Sequence, residues 1–439
     1  MLQNHLSFSG PSKPPVCFLN DFVCELKELM SNGMTVNGTQ ICVKLHSFVC
    51  NAPARAFIKC TKLHSGYSSC ERCDQHGEWC GKVIFSSTAC TARTDHSFRN
   101  QTDDGHHLPG VTSPLTALDI DMIRHFPLDP MHLLHLGVMR RLLLLWLRGP
   151  LTVRLPSRVV SDISSSLLSL CSHIPTEFCR RPRALTEIDR WKATEFRLFL
   201  LYCGPAVLKG RLPDLQYKHF LLLFVASTIL SRKTLRGELT EYAGGLLTAF
   251  VQGVHDIYGK TQLVYNVHCL LHVVDDVTLY GCLDSYSSYP FENKLKNIKK
   301  LVHKPSLPLQ QVVLRLAERD RCVADSTGKT AQAERIRFQQ EHHNGQVPDC
   351  FSCVKQFSKL SFDPFQLSVS QRDSCVQLLD KSAMIIRNVL QQETTNTTII
   401  VYNKFRHVSD VFDYHLQSSS LDIFEVSDLD KANSFVVNV

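Results

Sequence analysis

Two pairs of side chains that commonly bind metals stand far apart in the sequence. Cys70 and Cys73 form a Cys-x2-Cys pair, and His268 and His272 form a His-x3-His pair. A spacing of four places both imidazoles on one face of a helix, one turn apart. Thiolates and imidazoles are preferred ligands of structural Zn²⁺, and four of them fill its tetrahedral shell. The pairs together predict a closed, structural zinc site that ties the amino-terminal region to a distant helix.

Each pair alone is a weaker signal. The chain contains 18 cysteines and 20 histidines, so either spacing also arises by chance, and two histidines on a helix surface are the simpler interpretation of the second pair. Cys350 and Cys353 repeat the first spacing without a role that the sequence reveals. The zinc hypothesis therefore depends on the two complete pairs acting together.

Glu292 is the next candidate, in the first turn of a helix that Pro290 should begin, with Phe291 expected to pack inward. A carboxylate there either favours the positive end of the helix dipole or binds a metal. Five lysines follow, and they form either a solvated face or a stripe that contacts the phosphates of DNA. These lysines are Lys294, Lys296, Lys299, Lys300 and Lys304.

Two further polar positions stand at the ends of predicted elements. Asn51 follows residues 40–50, whose alternating, β-branched pattern predicts a strand. Asp129 and His132 form an Asp-x2-His motif at the start of a strongly apolar helix predicted over 130–148. Asp129 is a candidate helix cap, and the role of the motif is otherwise open.

The remaining pattern is mostly helical. Residues 60–80 are predicted to be loop-like, 81–86 a short strand, and 91–114 an exposed loop or linker. Helices are predicted at 21–30, 157–173, 186–203, 214–231, 237–258, 264–279, 290–303 and 307–343. Short strands are predicted at 397–405, 411–415 and 420–426, as a small β unit.

Composition limits the class of protein. The 439 residues are 44% apolar and 20% charged, as in folded soluble proteins, and the net charge is +7, a mild basic bias compatible with nucleic acid. The amino terminus lacks the apolar segment of a secretory signal. The longest apolar run, 219–230, is too short to span a membrane. We therefore expect a nuclear or cytoplasmic protein with reduced thiols, no membrane partner, and the possibility of oligomers.

The order of these motifs resembles that of DDE/D transposases of the CACTA (En/Spm-like) group, which have an RNase H-like core with a helical insertion. The recombinase core of antigen-receptor genes shares the zinc arrangement. The resemblance covers roughly residues 16–320, and five motifs in order make it specific. It rests on the stretches CNAPARAFIKC, GYSSCERC, FPLDPMHLLHLGVMRRLL, WKATEFRLFLLYCGP and SYPFENKLKNIKK.

This resemblance implies a chemistry and also its loss. The family cleaves and transfers DNA strands with three carboxylates that hold two Mg²⁺ or Mn²⁺ ions. Glu292 matches the third carboxylate, whereas Asn51 stands where the family has aspartate. The first carboxylate belongs on an opening strand that should precede the helix at 21–30 and is not found. The acidic residues on that helix do not substitute for it; they are Asp21, Glu25 and Glu28.

We therefore predict an α+β, predominantly α protein: an incomplete RNase H-like core interrupted by a large all-helical insertion, with a small β unit at the carboxyl terminus. The hypothesis is a transposase-derived, catalytically inactive protein that retains zinc and non-specific DNA binding. Two alternatives stay open: an active strand transferase or nuclease whose first carboxylate is supplied elsewhere, and a protein-interaction scaffold. The predicted segments are a remnant core at 16–90, the insertion at 91–263, helices completing the core at 264–345, and the carboxyl-terminal region at 346–439.

Overall fold

The chain is a mixed α+β protein, predominantly helical, with its large sheet at the carboxyl terminus. A computed structural model describes residues 15–235, 237–324, 336–349, 351–362 and 365–438. Cys350, and with it the predicted Cys350–Cys353 pair, lies outside the described residues. Within the described ranges, no helix combines the length and the apolar character needed to cross a membrane.

Thirteen α-helices are found in the described residues. They are α1 (Pro15–Asn32), α2 (Ala52–Lys59), α3 (Asp95–Arg99), α4 (Arg140–Arg148), α5 (Ser157–Ser169), α6 (Ala193–Leu198), α7 (Gly204–Leu208), α8 (Asp214–Ser231), α9 (Glu238–Tyr258), α10 (Tyr265–His268), α11 (Val273–Tyr280), α12 (Tyr289–Lys299) and α13 (Pro308–Ala324). A π-helical stretch, Met131–Met139, leads into α4, and another, Phe199–Cys203, joins α6 to α7.

The strands form two small hairpins and one large sheet. They are β1 (Met34–Val36), β2 (Thr39–Ile41), β3 (Glu78–Trp79), β4 (Val83–Ile84), β5 (Arg337–His342), β6 (Val354–Phe362), β7 (Phe365–Ser368), β8 (Cys375–Gln377), β9 (Ala383–Gln392), β10 (Thr398–Asp410), β11 (Phe424–Leu429) and β12 (Phe435–Asn438). β1 pairs with β2 and β3 with β4, both antiparallel. The large sheet has the antiparallel order β11-β10-β9-β6-β5, with β12, β7 and β8 paired to β10, β6 and β9.

The chain divides into two compact units, each built from two separate segments. The first unit comprises Met1–Leu155 and Leu212–Pro305, and the second comprises Pro156–Arg211 and Ser306–Val439. The first unit contains every residue of the two metal-binding pairs and Glu292. The four-segment division expected from the sequence stays a prediction, because it describes ancestry and not compactness.

Helix α8 lies in the interior of the first unit and packs against α9. Every side chain from His219 to Leu230 is buried, as the apolar run predicted, and a helix that is apolar all round must be enclosed by other elements. A second core lies under α1 and α2, where Leu19, Ile58 and Phe126 pack together. These two cores hold the elements that carry the candidate site.

The predicted strand at 40–50 is wrong over most of its length. Only β2 belongs to a hairpin, and residues 42–49 are in no strand. Burial nevertheless alternates over a short stretch, since Val43, Leu45 and Ser47 are half-buried while Lys44 and His46 are exposed. Cys50 then forms an isolated parallel bridge with Leu128. An alternating pattern indicates which side chains are buried. A β-strand also requires a neighbouring strand to hydrogen-bond along its length.

The exposed loop or linker predicted at 91–114 is confirmed only in part: most of it is irregular and exposed or half-buried, but it contains a short helix and buried side chains. Thr94 and Ser97 form a capping box that starts α3. His106 and His107 are buried, and burial lowers the pKa of His106 to about 4. The polar residue types of this segment do not indicate burial. The sequence does not show that His106 Nδ1 lies 2.7 Å from the Ser68 carbonyl oxygen.

Two segments of the second unit are joined by a buried carboxylate. Asp373 accepts hydrogen bonds from the backbone N–H and the hydroxyl of Thr176, at 2.9 and 3.2 Å. Gln371 contacts His173 in the same place, with 2.6 Å between Nε2 atoms. The helical segment that contains α5 to α7 is thereby attached to the turn before β8.

Three expectations for the carboxyl-terminal region are corrected. The helix expected over 307–343 ends within the described residues at Ala324, and Arg337–His342 is a strand because it pairs with β6. Residues 411–415 are not a strand but follow the end of β10. The strand expected at 420–426 begins only at Phe424, after a 3₁₀ turn. All three differences depend on which distant segments pair as strands. The local sequence pattern does not contain that information.

Candidate metal centre

The four predicted zinc ligands converge in the first unit. One donor atom from each of Cys70, Cys73, His268 and His272 lies within 4.8 Å of the other three. Cys70 and Cys73 have no exposed surface, His268 has none, and His272 is 8% exposed. Residues that are separated in sequence by most of the helical region therefore meet in one enclosed cluster.

The separations between these atoms match the edges of a zinc tetrahedron. Bonds of about 2.3 Å to sulfur and 2.0 Å to nitrogen give edges of about 3.8 Å between sulfurs, 3.3 Å between nitrogens and 3.5 Å between unlike atoms. The two sulfurs are 3.5 Å apart and the two Nε2 atoms 3.4 Å apart. His268 Nε2 lies 3.2 Å from the Cys73 sulfur, and His272 Nε2 lies 3.6 Å from the Cys70 sulfur. The residues present thus fit a tetrahedral ion.

The histidines are positioned by a break in the helix predicted at 264–279. Helix α10 ends at His268, and a 3₁₀ turn over Cys269–His272 precedes α11. The His268 ring stacks on Phe85, with centroids 5.1 Å apart, and Phe85 follows directly after β4. The His268 Nδ1 atom is buried and has no hydrogen-bond partner among the described residues. An apolar ring thus supports this ligand where metal-binding histidines usually have a polar partner.

The two residues between the cysteines are charged and buried. Glu71 accepts from Arg55 Nε at 2.6 Å and from Lys59 Nζ at 2.9 Å, so it fixes the cysteine turn to α2. Burial alone would raise the pKa of the Glu71 carboxyl, but the two cations outweigh burial and hold the pKa at about 2. Burial lowers the pKa of Lys59, which Glu71 offsets only in part.

Arg72 makes the second buried ion pair of the turn. It donates to Asp276 Oδ1 at 2.7 Å and to the carbonyls of Ile123 and Phe126 at 3.0 and 2.8 Å. Asp276 also accepts from the backbone N–H of Leu128 at 2.7 Å. In the turn Cys70-Glu71-Arg72-Cys73, two candidate metal ligands therefore flank two residues whose ion pairs and hydrogen bonds attach the turn to three other segments.

The pKa values of the Cys70 and Cys73 thiols are shifted in opposite directions. Burial would raise the pKa of Cys70, but hydrogen bonds from Cys269, Cys73 and the two histidines outweigh it and hold the pKa well below the ordinary value. The hydrogen bond to Cys70 raises the pKa of Cys73, and burial raises it further. Of the two thiols, Cys70 therefore loses its proton more readily, and a thiolate is the form that binds a metal.

Asn51 lies beside this centre but does not sit at the end of a strand. It caps α2, because its Oδ1 accepts from the backbone N–H of Ala54 at 2.9 Å. It also lines a cavity of about 30 Å³. The other lining residues are Cys50, Ala52, Arg55, Leu128, Asp129, His132, Leu133, Tyr265 and Asn266. The structure thereby brings Asn51 and the Asp-x2-His motif together, which the sequence did not predict.

Asp129 is 2% exposed, and four protein donors surround its carboxylate. Oδ1 accepts from the backbone N–H groups of Met131 at 3.3 Å and Ser288 at 2.8 Å. Oδ2 accepts from the N–H of His132 at 3.2 Å and also contacts the His132 ring at Nδ1. Burial would raise the pKa of Asp129, and its partners, His132 foremost, lower it. Asp129 therefore caps both the helix that follows it and the start of α12.

Glu292 lies one turn into α12, half-buried, and its N–H donates to the Ser288 carbonyl at 3.0 Å. Phe291 does not pack inward as expected, since 44% of it is exposed. All five predicted DNA-contacting lysines are exposed. The helical repeat places Lys296, Lys299 and Lys300 on the Glu292 side of the helix, whereas Lys294 faces elsewhere.

Several residues that shape the centre were missed from the sequence. Residue type alone does not distinguish Arg55, Glu71 and Arg72 from ordinary surface charges. The same holds for Arg93, whose Nε donates to the Cys70 carbonyl at 3.0 Å. Glu71 and Arg72 stand between the two cysteines of the predicted site, and that position is the signal that could have drawn attention to them. The sequence around Asp276 contains no comparable indication that this residue belongs to the centre.

Comparison with known proteins gives one match. Residues 341–438 match the family model of a domain of unknown function, DUF8592. This range contains β6 to β12 and the last residues of β5. The searches of curated proteins and of solved structures found no match. The match covers less than a quarter of the chain and none of the first unit.

Proposed function

We propose that this chain is a transposase-derived protein of the CACTA (En/Spm-like) DDE/D lineage. In this proposal it keeps a structural zinc centre and non-specific affinity for DNA, and it has lost strand cleavage. The observation that carries the proposal is the parallel bridge between Cys50 and Leu128. Two extended segments run side by side there, and each ends in a polar residue that caps a helix, Asn51 and Asp129.

That arrangement supports descent from an RNase H-like core. Ligand-binding residues of parallel sheets lie just beyond the carboxyl ends of adjacent strands. Asn51 and Asp129 follow directly after the two residues of an isolated parallel bridge, which is a reduced form of that arrangement. Asp129 also accepts from the backbone N–H at the start of the helix that carries Glu292. The zinc centre lies beside this place and shares Arg55 and Tyr265 with it as neighbours.

The loss of catalysis follows from charge and from hydrogen bonding. A two-metal site needs several free carboxylate oxygens to offset two dications. In the Asn51 pocket one carboxylate position is an amide, and the Asp129 oxygens already accept four protein donors. The Arg55 guanidinium also lines the pocket and adds positive charge. These features oppose the binding of Mg²⁺ or Mn²⁺.

A cleavage assay tests the inactive assignment. The purified chain is incubated with Mg²⁺ or Mn²⁺ and with nicked or hairpin DNA, and we expect no product. Metal-dependent cleavage that an Asn51→Ala variant lacks would overturn it and favour an active enzyme whose first carboxylate is supplied elsewhere. Metal-dependent cleavage that the variant retains would overturn it as well, with Asn51 tolerated but not required.

DNA binding is tested through its salt dependence. Neutralising Lys296, Lys299 and Lys300 to Gln should lower the slope of log affinity against log salt by about 3, since each phosphate contact contributes about 0.9. Lys294→Gln is the matched control, because Lys294 is on the same helix but on another face, and it should leave the slope unchanged. No binding at low salt, or equal effects of both variants, would favour a protein-interaction scaffold.

A further inference from the structure

The second unit contains a groove that the proposed function does not use. It lies between the segment 177–180 and one side of α6 with its π-helical extension, and its cavity volume is about 260 Å³. One side of the groove is open to solvent. The lining residues are Glu177, Phe178, Cys179, Arg180, Thr194, Arg197, Leu198 and Tyr202.

The helical wall presents one continuous face. Thr194, Leu198 and Tyr202 are spaced by four residues, so they follow one another along the helix toward its carboxyl end. Tyr202 belongs to the π-helical stretch Phe199–Cys203. A π-helical turn is rare, and such turns are found frequently at functional sites because they redirect side chains. This wall therefore has a hydroxyl, an aliphatic side chain and a phenol in a row.

The charges of the groove favour an anion. Arg180 and Arg197 contribute two guanidinium groups, and Glu177 contributes one carboxylate, so the lining has a net positive charge. Guanidinium groups bind phosphate through two parallel N–H donors and are preferred to lysine for that task. Thr194 Oγ1 is shielded from solvent and has no hydrogen-bond partner within the described residues. No accessible surface remains on this atom, so its hydroxyl is not one of the groups that meet the ligand.

The aromatic side chains favour a flat group. The Tyr202 ring is half exposed. Phe178 meets it edge to face, with ring centroids 4.9 Å apart and planes at 83°. Edge contact with Phe178 fixes the orientation of the phenol ring, and its exposed area remains for a ligand. Aromatic side chains on which a nucleobase stacks, next to arginines, are typical of sites that bind unpaired nucleotides.

We propose that this groove binds a nucleoside 5′-phosphate, with the base against Tyr202 and Leu198 and the phosphate at Arg180 and Arg197. The volume lies just below the usual range of ligand pockets, about 300–1,000 Å³, which suits a ligand no larger than one nucleotide. The nucleotide is either free or the 5′-phosphorylated end of a single strand, since the chemistry is the same. The proposal does not rest on transposase descent, because every residue of the groove is in the second unit.

Titration of the full chain tests the site. The probes are AMP, adenosine, and a short single-stranded oligonucleotide with either a 5′-phosphate or a 5′-hydroxyl. We expect AMP to bind more tightly than adenosine, and Arg180→Gln and Tyr202→Ala each to weaken binding about tenfold. Binding of the 5′-phosphorylated strand at least as tight as that of AMP identifies a strand end as the ligand, and binding of AMP alone identifies a free nucleotide.

Matched controls separate the groove from general charge effects. Arg181 is an exposed neighbour of Arg180 that does not line the cavity, so Arg181→Gln should leave AMP affinity unchanged. Thr194→Val removes only the buried hydroxyl, which the groove does not expose, so it is a second control that should leave AMP affinity unchanged. The proposal is overturned if AMP does not bind at millimolar concentration, or if Arg181→Gln weakens it as much as Arg180→Gln.

Discussion

Two polar clusters lie beside each other in the first unit, and they differ in what satisfies their polar atoms. In the Cys/His cluster, four donor atoms face one another at the edge lengths of a metal tetrahedron. In the Asn51 pocket, the amide and the carboxylate accept hydrogen bonds from backbone N–H groups. The first arrangement could hold a metal ion at its centre. In the second, backbone N–H groups already meet the amide and carboxylate oxygens, so the polar atoms of the two clusters are satisfied in different ways.

Removing a ligand from the Cys/His cluster should have the largest effect. Cys70→Ser should abolish bound zinc and cost about 4 kcal/mol or more, the contribution of a ligand present at 1,000 times its dissociation constant. The unfolding midpoint should fall by about 8–16 °C, and metal analysis with thermal unfolding measures both.

Cys42→Ser is the matched control for that prediction, because Cys42 is exposed and lies outside the cluster. It should keep one zinc per chain and an unchanged unfolding midpoint. Zinc content that is the same in the Cys70 variant and the wild type would remove the distinction between the two clusters.

Glu71→Gln should come next, at about 3–5 kcal/mol near neutral pH, because it leaves Arg55 and Lys59 buried without their counter-charge. The folded-state pKa of Glu71, about 2, is depressed below its ordinary 4.5. Its stabilisation is therefore complete above pH 4.5 and is lost as the pH falls toward 2, by about 3 kcal/mol.

The measurement is the free energy of unfolding of both proteins at several pH values. The difference between wild type and Glu71→Gln should be constant above pH 5 and shrink below 4.5. Zinc release in acid affects both proteins and cancels in the difference. Glu78→Gln is the control, since the Glu78 pair with Lys260 is on the surface. A pH-independent difference for Glu71 would contradict the ion-pair account.

Asp129→Asn should cost about 2 kcal/mol, because an amide NH₂ cannot accept the two donors that now meet Oδ2. The loss concerns hydrogen bonding alone, so zinc content should not change. Asp214, an exposed aspartate paired with Lys218, provides a control substitution with no expected effect on the free energy of unfolding. Loss of a bound divalent ion from the Asp129 variant would mean that the pocket is a metal site.

Asn51→Asp should have the smallest effect, within about 0.5 kcal/mol, since asparagine and aspartate cap helices equally well. Asn51→Ala should cost about 1 kcal/mol as the cap is lost. Neither variant should acquire Mn²⁺ binding by calorimetry. Tight Mn²⁺ binding by the aspartate variant would show that one carboxylate suffices to reopen the pocket.

The Cys/His cluster was predictable because it depends on ligand chemistry that spacing expresses directly. Helix α8 was predicted from Asp214 to Ser231, since a continuous apolar run that short has few other structures open to it. The joining of Asn51 to Asp129 was not predictable, because it depends on a bridge between Cys50 and Leu128 that neither segment indicates. The Arg72–Asp276 ion pair was not predictable for the same reason, because only tertiary packing brings these two residues together.

The Thr176–Asp373 hydrogen bond has a consequence for synthesis of the chain. Segment Pro156–Arg211 leaves the ribosome before the second half of the first unit, and its own partner begins only at Ser306. Asp373 is 197 residues beyond Thr176, a length that takes about 10–40 s to translate at about 5–20 residues per second. During that time Thr176 has no Asp373 to donate to, so the helical segment cannot complete this contact. A fragment that starts at residue 341 would leave Asp373 permanently without it.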